Sequence, residues 1–396
     1  MKKKSICLGV MIFACITPVS FAANQTSFNP DISLILDGRY GSYQNSTAYA
    51  LPGFMLGGEA SRGIQGYHLG HNELSFSSNV DDMFYAKLIA AIADHEGVTE
   101  VELEEAFIET QSLGNGLGVK AGRFFSDLGY LNNQHGHAWD FMDAPLIYRG
   151  LFGDQVNDDG VQVSWLAPTE TYFKVGIEAT RGERFPSGGA ANAGRGSNVI
   201  FAKFGGDVGV SNAWQLGFSH LAADINGRAV NSTTTEIPTF YGTSKVNAID
   251  FVWKWSPNGN NRERNLKIQA EYLERNESGR IDVVNSSPLG TSTYQGKQSG
   301  AYAQVIYQFM PRWRIGYRYD QLQANNTGSN STVLGKAGLN VNGHTPERST
   351  VMLDYSHSEY SRIRFQYAKD NSYNDSDNLF FVQYIVTIGA HGAHSF

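Results

Sequence analysis

Residues 246–255, "VNAIDFVWKW", put Ile249, Phe251, Trp253 and Trp255 on one face of an extended chain and Asp250 and Lys254 on the other. Successive side chains of a strand point to opposite sides, so this is a strand with one apolar and one charged face. After the turn "SPNGN", the segment "NLKIQAEYLER" sets Leu266, Ile268, Ala270 and Tyr272 against Lys267, Gln269, Glu271 and Arg275. "GAYAQVIYQF" gathers Ala301, Ala303, Val305, Tyr307 and Phe309 on one face. "RIGYRYD" then opposes Ile315, Tyr317 and Tyr319 to Arg314, Arg318 and Asp320. Period two over about eight to ten residues, joined by tight Gly, Pro and Asn turns, predicts antiparallel hairpins long enough to cross a membrane.

A soluble antiparallel sandwich alternates too. Here Trp, Tyr and Phe gather near strand ends, as in an interfacial aromatic girdle, and full charges fill the opposite face strand after strand, as a lumen would. Composition agrees: 43 Gly, 20 Tyr and 23 Phe accompany only 17% charged residues. Beyond residue 22 no run approaches the roughly 20 apolar residues of a membrane helix. The predicted fold class is all-β, a transmembrane antiparallel β-barrel.

The first 22 residues read as a signal peptide: Lys2, Lys3 and Lys4, then "SICLGVMIFACITPV", then "SFA" at the cleavage site. A lipoprotein reading at Cys15 fits poorly with the bulky Phe13. The barrel is then expected over 23–396. Cys7 and Cys15 both lie in the signal, so no disulfide is expected in the mature chain. The net charge is −7, or about −10 without the three lysines, which argues against nucleic acid as a partner.

Sixteen strands can be counted between residues 31 and 389, among them 212–222, 246–256, 265–275 and 299–309. Links after even-numbered strands are short, such as "NVDD", "SLGN", "APT" and "MPRW". Links after odd-numbered strands include the long stretches 44–66, 127–158, 182–197, 223–245, 276–298 and 323–348. Bacterial barrels have short periplasmic turns and long outer loops, so both termini are expected in the periplasm.

The third outer loop, 127–158, contains "NNQHGHAWDF". Sixteen strands enclose an aqueous lumen, and a long loop folded inward would narrow it. The loop carries Asp127, Asp140, Asp143, Asp154 and Asp158 against the single Arg149. The wall offers Lys254, Lys267, Arg275, Arg314, Arg318, Arg348, Arg362 and Arg364. Acid on the loop facing base on the wall predicts a transverse field across the constriction, although Glu100, Glu102 and Glu104 in "EVELEEAFIE" complicate any simple ion preference. His135 and His137 are candidate metal ligands, with Asp140 or Asp143 as a third donor and zinc as the ion such a set suits; the alternative is a loop tied down by its own hydrogen bonds. His391 and His394 raise the same question. No Gly-x-Ser-x-Gly elbow or other catalytic signature marks an outer-membrane hydrolase.

The stretch "GVKAGRFFSDLGYLNNQHGHAWDFMDAPLIYRGLFGDQVNDDGVQVSWLAP" is similar in layout to the phosphate-selective porin superfamily. Together with "DFVWKWSPNGNNRERN", "YQFMPRWRIGYRYD" and "GAHGAH", it more closely resembles an uncharacterised proteobacterial porin-like family whose members are often labelled zinc-regulated or TonB-dependent outer-membrane receptors. The resemblance implies an outer-membrane porin, surrounded by lipid and lipopolysaccharide, trimeric, without cofactor, passing small hydrophilic solutes or ions. Phosphate selectivity is not implied, because no run of lysines matches the relatives' ladders. Only Ala23 to Pro30 precede the first strand, so no TonB-type plug is expected. The final "LFFVQYIVTIGAHGAHSF" resembles the insertion signal read by the barrel-assembly machinery through Phe396, although Gly392 and His394 stand where that signal is usually more apolar.

Overall fold

The computed structural model describes residues 30–45, 50–60, 62–95, 98–189, 195–230, 236–284 and 290–389. The signal segment 1–22, His391, His394 and Phe396 lie outside them.

The chain forms β1 (Asp31–Ser42), β2 (Gly66–Leu69), β3 (Asn72–Asn79), β4 (Phe84–His95), β5 (Val98–Thr110), β6 (Leu117–Phe125), β7 (Asn157–Leu166), β8 (Tyr172–Thr180) and β9 (Ser197–Val208). It continues with β10 (Asn212–Ala229), β11 (Ile237–Trp255), β12 (Asn265–Val284), β13 (Gly290–Met310), β14 (Trp313–Gly328), β15 (Glu347–Ser358), β16 (Ser361–Asn371) and β17 (Asp377–Gly389). Two short helices, α1 (Leu146–Phe152) and α2 (Ser331–Lys336), lie in the long connections. Apart from β2 and β3, each strand pairs antiparallel with its neighbour in sequence, and β1 pairs with β17 to close the sheet. β2 and β3 are two halves of one strand, since both pair with β1. The fold is a closed sixteen-stranded barrel, as the alternation predicts.

The faces follow the sequence. Ile249, Phe251, Tyr272, Val305, Ile315 and Tyr317 are exposed on the outside, while Asp250, Glu271, Arg275, Arg318 and Asp320 are buried within. Aromatic rings meet where strands adjoin the short turns: Phe173 stacks on Phe204 with centroids 4.6 Å apart, and Trp313 lies 4.8 Å from Tyr355.

Two expectations need correction. The stretches 223–245 and 276–298 are largely strand: the β11–β12 ladder runs from Trp255↔Leu266 to Ile237↔Val284. At about 3.3 Å per residue these strands exceed an apolar band of about 25 Å, so their far ends stand beyond it. There the outward positions are polar, as in Lys297 paired with Glu274 at 3.0 Å, and the apolar phase that marks a spanning strand is lost. The second correction concerns the lumen. It is not open throughout, because Leu128, Leu131, Trp139, Leu146, Ile147, Leu151 and Phe152 pack on Leu221, Val246, Leu273, Tyr302 and Leu322 of the inner wall. Leu51 and Phe54, from the first long connection, and Leu334 of α2 join the same core.

Candidate functional site

Segment 126–156 enters the barrel after β6 and fills the side lined by β8 to β16. Wall carboxylates receive its first backbone N–H groups. Glu178 accepts Asp127 N at 2.9 Å and the Ser126 hydroxyl at 2.6 Å. Glu271 accepts Tyr130 N and Leu131 N, both at 3.1 Å, and the Tyr148 and Tyr302 hydroxyls at 2.8 and 2.5 Å. Asp320 accepts Leu146 N at 2.9 Å, at the start of α1. A helix start leaves N–H groups without partners, and here the wall supplies one. α1 is buried on every face. It ends at Gly153, whose left-handed φ of 68° suits glycine and whose position leaves no room for a Cβ, 2.3 Å from Gly57 O.

The wall cations complete the grip. Arg275 donates to Leu151 O at 3.0 Å, Arg318 to Asp143 O at 2.8 Å, Arg348 to Ala144 O at 3.3 Å, Arg362 to His137 O at 2.6 Å and Arg364 to Trp139 O at 2.9 Å. Asp140 lies 3.0 Å from both Lys267 and Arg314. Asp143 pairs with Arg318 at 3.1 Å, Arg348 at 2.9 Å and Arg149 at 3.5 Å. Asp127 sits 3.0 Å from Lys174 and 3.6 Å from Lys203. Burial alone would raise these three carboxyls; the neighbouring cations overcome it and hold each well below the usual carboxylate range.

The opposite edge of the segment meets β3 and β5 through histidines and glutamates. His137 Nδ1 lies 2.8 Å from Glu73 Oε1, and His135 Nδ1 lies 3.3 Å from Glu73 Oε2 and 3.5 Å from Glu104 Oε2. His135 Nε2 is 2.9 Å from Glu105, which Lys87 also reaches at 3.0 Å. His71 Nε2 is 2.6 Å from Glu104 Oε1. The two loop imidazoles are stacked, with centroids 5.7 Å apart. Burial alone would lower the His135 imidazole, but the charge of Glu73 and the bonds to Glu104, Glu105 and Glu73 raise it well above its ordinary value.

Two β-bulges build this cluster. On β5, Glu105 lies opposite Ile89 and Leu103 opposite Ala90, so Glu104 is the extra residue. A bulge shifts the alternation by one, and the consecutive Glu104 and Glu105 therefore both face the lumen. Between β2 and β3 the register with β1 slips by one residue across Gly70 and His71. Gly70 lies so close to Asp37 and Arg39 that a Cβ there would sit 2.3 Å from Arg39 Nε.

Between the segment and β1, β2 and β5 lies a cavity of about 270 Å³. Arg39, Arg62, Arg149 and Arg184 line it together with Glu59, Glu102, Glu104, Asp154, His68 and His71. Asp154 has a left-handed φ of 118°. Burial raises its carboxyl to about 7, with Glu59 and Asp143 adding to the effect and Arg149 and His71 opposing it.

A protein of Aquifex aeolicus (strain VF5), described as uncharacterized, is 32% identical over 407 residues, spanning 94% of this chain and 81% of that one. The two chains belong to one family. No family model matches the sequence. Among solved structures, the chain resembles the outer membrane channel DcaP of Acinetobacter baumannii, with a TM-score of 0.53, 11% identity and coverage of 91% of this chain and 97% of that one. OmpF of Salmonella typhi, in complex with daunomycin, gives 0.53, 12%, 91% and 97%. In-vitro folded OmpT of Vibrio cholerae, in a trimer form, gives 0.51, 11%, 91% and 99%. At such identities the likeness is one of fold: this family member has the closed barrel of the outer-membrane porins.

Several expectations change with this geometry. Acid and base do not face each other across an open gap; Asp140, Asp143 and Asp127 touch their cations, and the arginines also hold backbone carbonyls. Asp140 and Asp143, engaged in this way, are not placed to complete a metal site with His135 and His137. Asp158 is not in the loop but in β7, where it accepts Gly182 N at 2.6 Å. Lys254 stands near the short-turn end of β11. Sequence reasoning passed over His71, Glu73, Glu105, Glu178 and Glu271 as partners. One signal for the bulge was available: in "EVELEEAFIE" adjacent glutamates interrupt an otherwise strict alternation.

Proposed function

We propose that the chain is an outer-membrane channel through which small hydrophilic solutes or ions diffuse passively past segment 126–156. The observation that carries this is the charged cavity beside a clasped segment: one part of the lumen is packed, and next to it lies a cavity lined by acidic and basic side chains. The apolar outer face supports an environment of outer-membrane lipid and lipopolysaccharide. A homotrimer is the assembly we favour, supported by the trimer form named for the OmpT neighbour. Export by residues 1–22 and insertion through Phe396 belong to the same proposal.

The test is single-channel recording in planar bilayers with the purified, heat-modifiable barrel. Discrete conductance steps, with a reversal potential in a salt gradient that shifts on Arg184→Ala or Glu102→Ala, are the expected result; these two residues pair across the cavity rim. A folded barrel that inserts and gives no steps overturns the reading.

A further inference from the structure

We propose that Glu73, Glu104, His135 and His137 hold a divalent cation of the zinc type, which fastens segment 126–156 to the wall at β3 and β5. The site stands whether or not the chain conducts.

Distances make the first argument. Zinc binds nitrogen and oxygen at about 2.0–2.2 Å in a tetrahedron, which sets ligand atoms about 3.3–3.5 Å apart. His135 Nδ1 stands 3.3 Å from Glu73 Oε2 and 3.5 Å from Glu104 Oε2. Single ligand atoms of Glu73, His135 and His137 all lie within 4.8 Å of one another, and the same holds for His71, Glu73 and Glu104.

The second argument is independent of spacing. His135 Nδ1, Glu104 Oε2 and His71 Nε2 are sealed from solvent, yet none of them has a partner in hydrogen-bond geometry. A buried polar atom left in that state is costly, and two of the three, His135 Nδ1 and Glu104 Oε2, face each other at 3.5 Å. Glu73 and Glu104 find ion-pair partners only in histidines among the described residues.

The third argument is the outer shell. A metal-ligating histidine typically donates its other ring nitrogen to a carboxylate, which fixes the tautomer. His135 Nε2 lies 2.9 Å from Glu105, itself held by Lys87 at 3.0 Å. That leaves Nδ1, which stands beside Glu73 and Glu104, as the nitrogen that would bind the ion. Imidazole with carboxylate, and no thiolate, suits zinc and its late first-row neighbours rather than calcium or magnesium. The ion has a route in, because His71, Glu104 and Gly136 also line the charged cavity.

The experiment titrates the metal-stripped, full-length barrel in detergent with zinc by calorimetry and with cobalt by absorption spectroscopy. One saturable site per chain is expected, of micromolar affinity or tighter, with the visible bands of low-coordinate cobalt. His135→Ala with His137→Ala should remove it. Glu105→Gln should weaken it by about tenfold while keeping the stoichiometry. His220→Ala, which lies on another strand and bonds Asn247, should change nothing. A readout without variants accompanies these: bound zinc should protect His135 from diethyl pyrocarbonate, mapped by mass spectrometry. No saturable binding, affinity unmoved by the double substitution, or labelling of His135 unaffected by zinc would each overturn the site.

Discussion

Arg348 Nη2 lies 2.9 Å from Asp143 Oδ2, with the two side chains 1% and 7% exposed. That pair joins a wall strand to the inserted segment inside the barrel, where water screens little. Arg318 and Arg149 share the same carboxylate. Breaking a buried pair by removing one partner costs about 3–5 kcal/mol, because a charge is left behind. Asp143→Ala should therefore loosen segment 126–156 without unfolding the barrel. Single-channel conductance should rise, and limited proteolysis should begin to cut within the segment. Unchanged conductance and an uncut segment would mean the arginines are not what holds it.

Glu271 offers a separate anchor on the other side of α1. Its two oxygens accept two backbone N–H groups and two tyrosine hydroxyls. A buried donor that loses its acceptor costs about 1–3 kcal/mol. Glu271→Ala should thus lower the temperature at which the heat-modified band appears, and by more than Glu274→Ala, whose side chain pairs with Lys297 on the outside. Equal effects of the two substitutions would refute this account of the anchor.

The barrel was legible because lipid outside and charge inside repeat every two residues, so "VNAIDFVWKW" and "RIGYRYD" carry their own faces. The role of the arginines was not. A guanidinium that meets a backbone carbonyl, as Arg275 meets Leu151, leaves no mark on the partner's side chain, and a charge on a lumen face looks the same whether it is solvated or clasping a loop. His135 and His137 were visible as a pair, but their partners depended on two register slips. The spacing of Glu73, 62 residues before His135, says nothing about proximity; the bulge at Glu104 does. The doubled acid is visible in the sequence, yet its meaning required the ladder between β4 and β5.

Asp154 gives the cavity a charge that changes near neutrality. Burial raises its carboxyl to about 7, above an ordinary carboxyl of about 4. The folded state then holds this proton more tightly than the unfolded chain does. Its contribution to stability is present below about pH 4 and is lost as pH rises towards about 7. Around pH 7 the folded protein's Asp154 becomes anionic beside Glu59 and Asp143. The reversal potential should move towards cation preference between about pH 6 and about pH 8, and Asp154→Asn should flatten that change. A shift of equal size in the variant would place the titrating group elsewhere.

The bulge itself can be removed. On β5, Leu103 faces outward, Glu104 and Glu105 face the lumen, and Ile108 is again outward. Deleting Glu104 leaves Leu103 followed directly by Glu105, which restores strict alternation and keeps Val101, Leu103 and Ile108 towards lipid. The β4–β5 ladder then runs without the extra residue, and a bulge is a local kink that a regular ladder can replace. The barrel should therefore still assemble and migrate anomalously when unboiled. What should change is the lumen: His71 and His135 lose a carboxylate that lies 2.6 and 3.5 Å away, and the cavity loses one negative charge. The expected readout is a reversal potential displaced towards anions, with segment 126–156 more open to protease than in the parent chain. If the deletion instead abolishes assembly, the bulge sets the stagger by which sixteen strands close, and its placing of Glu104 beside His135 is a consequence of closure.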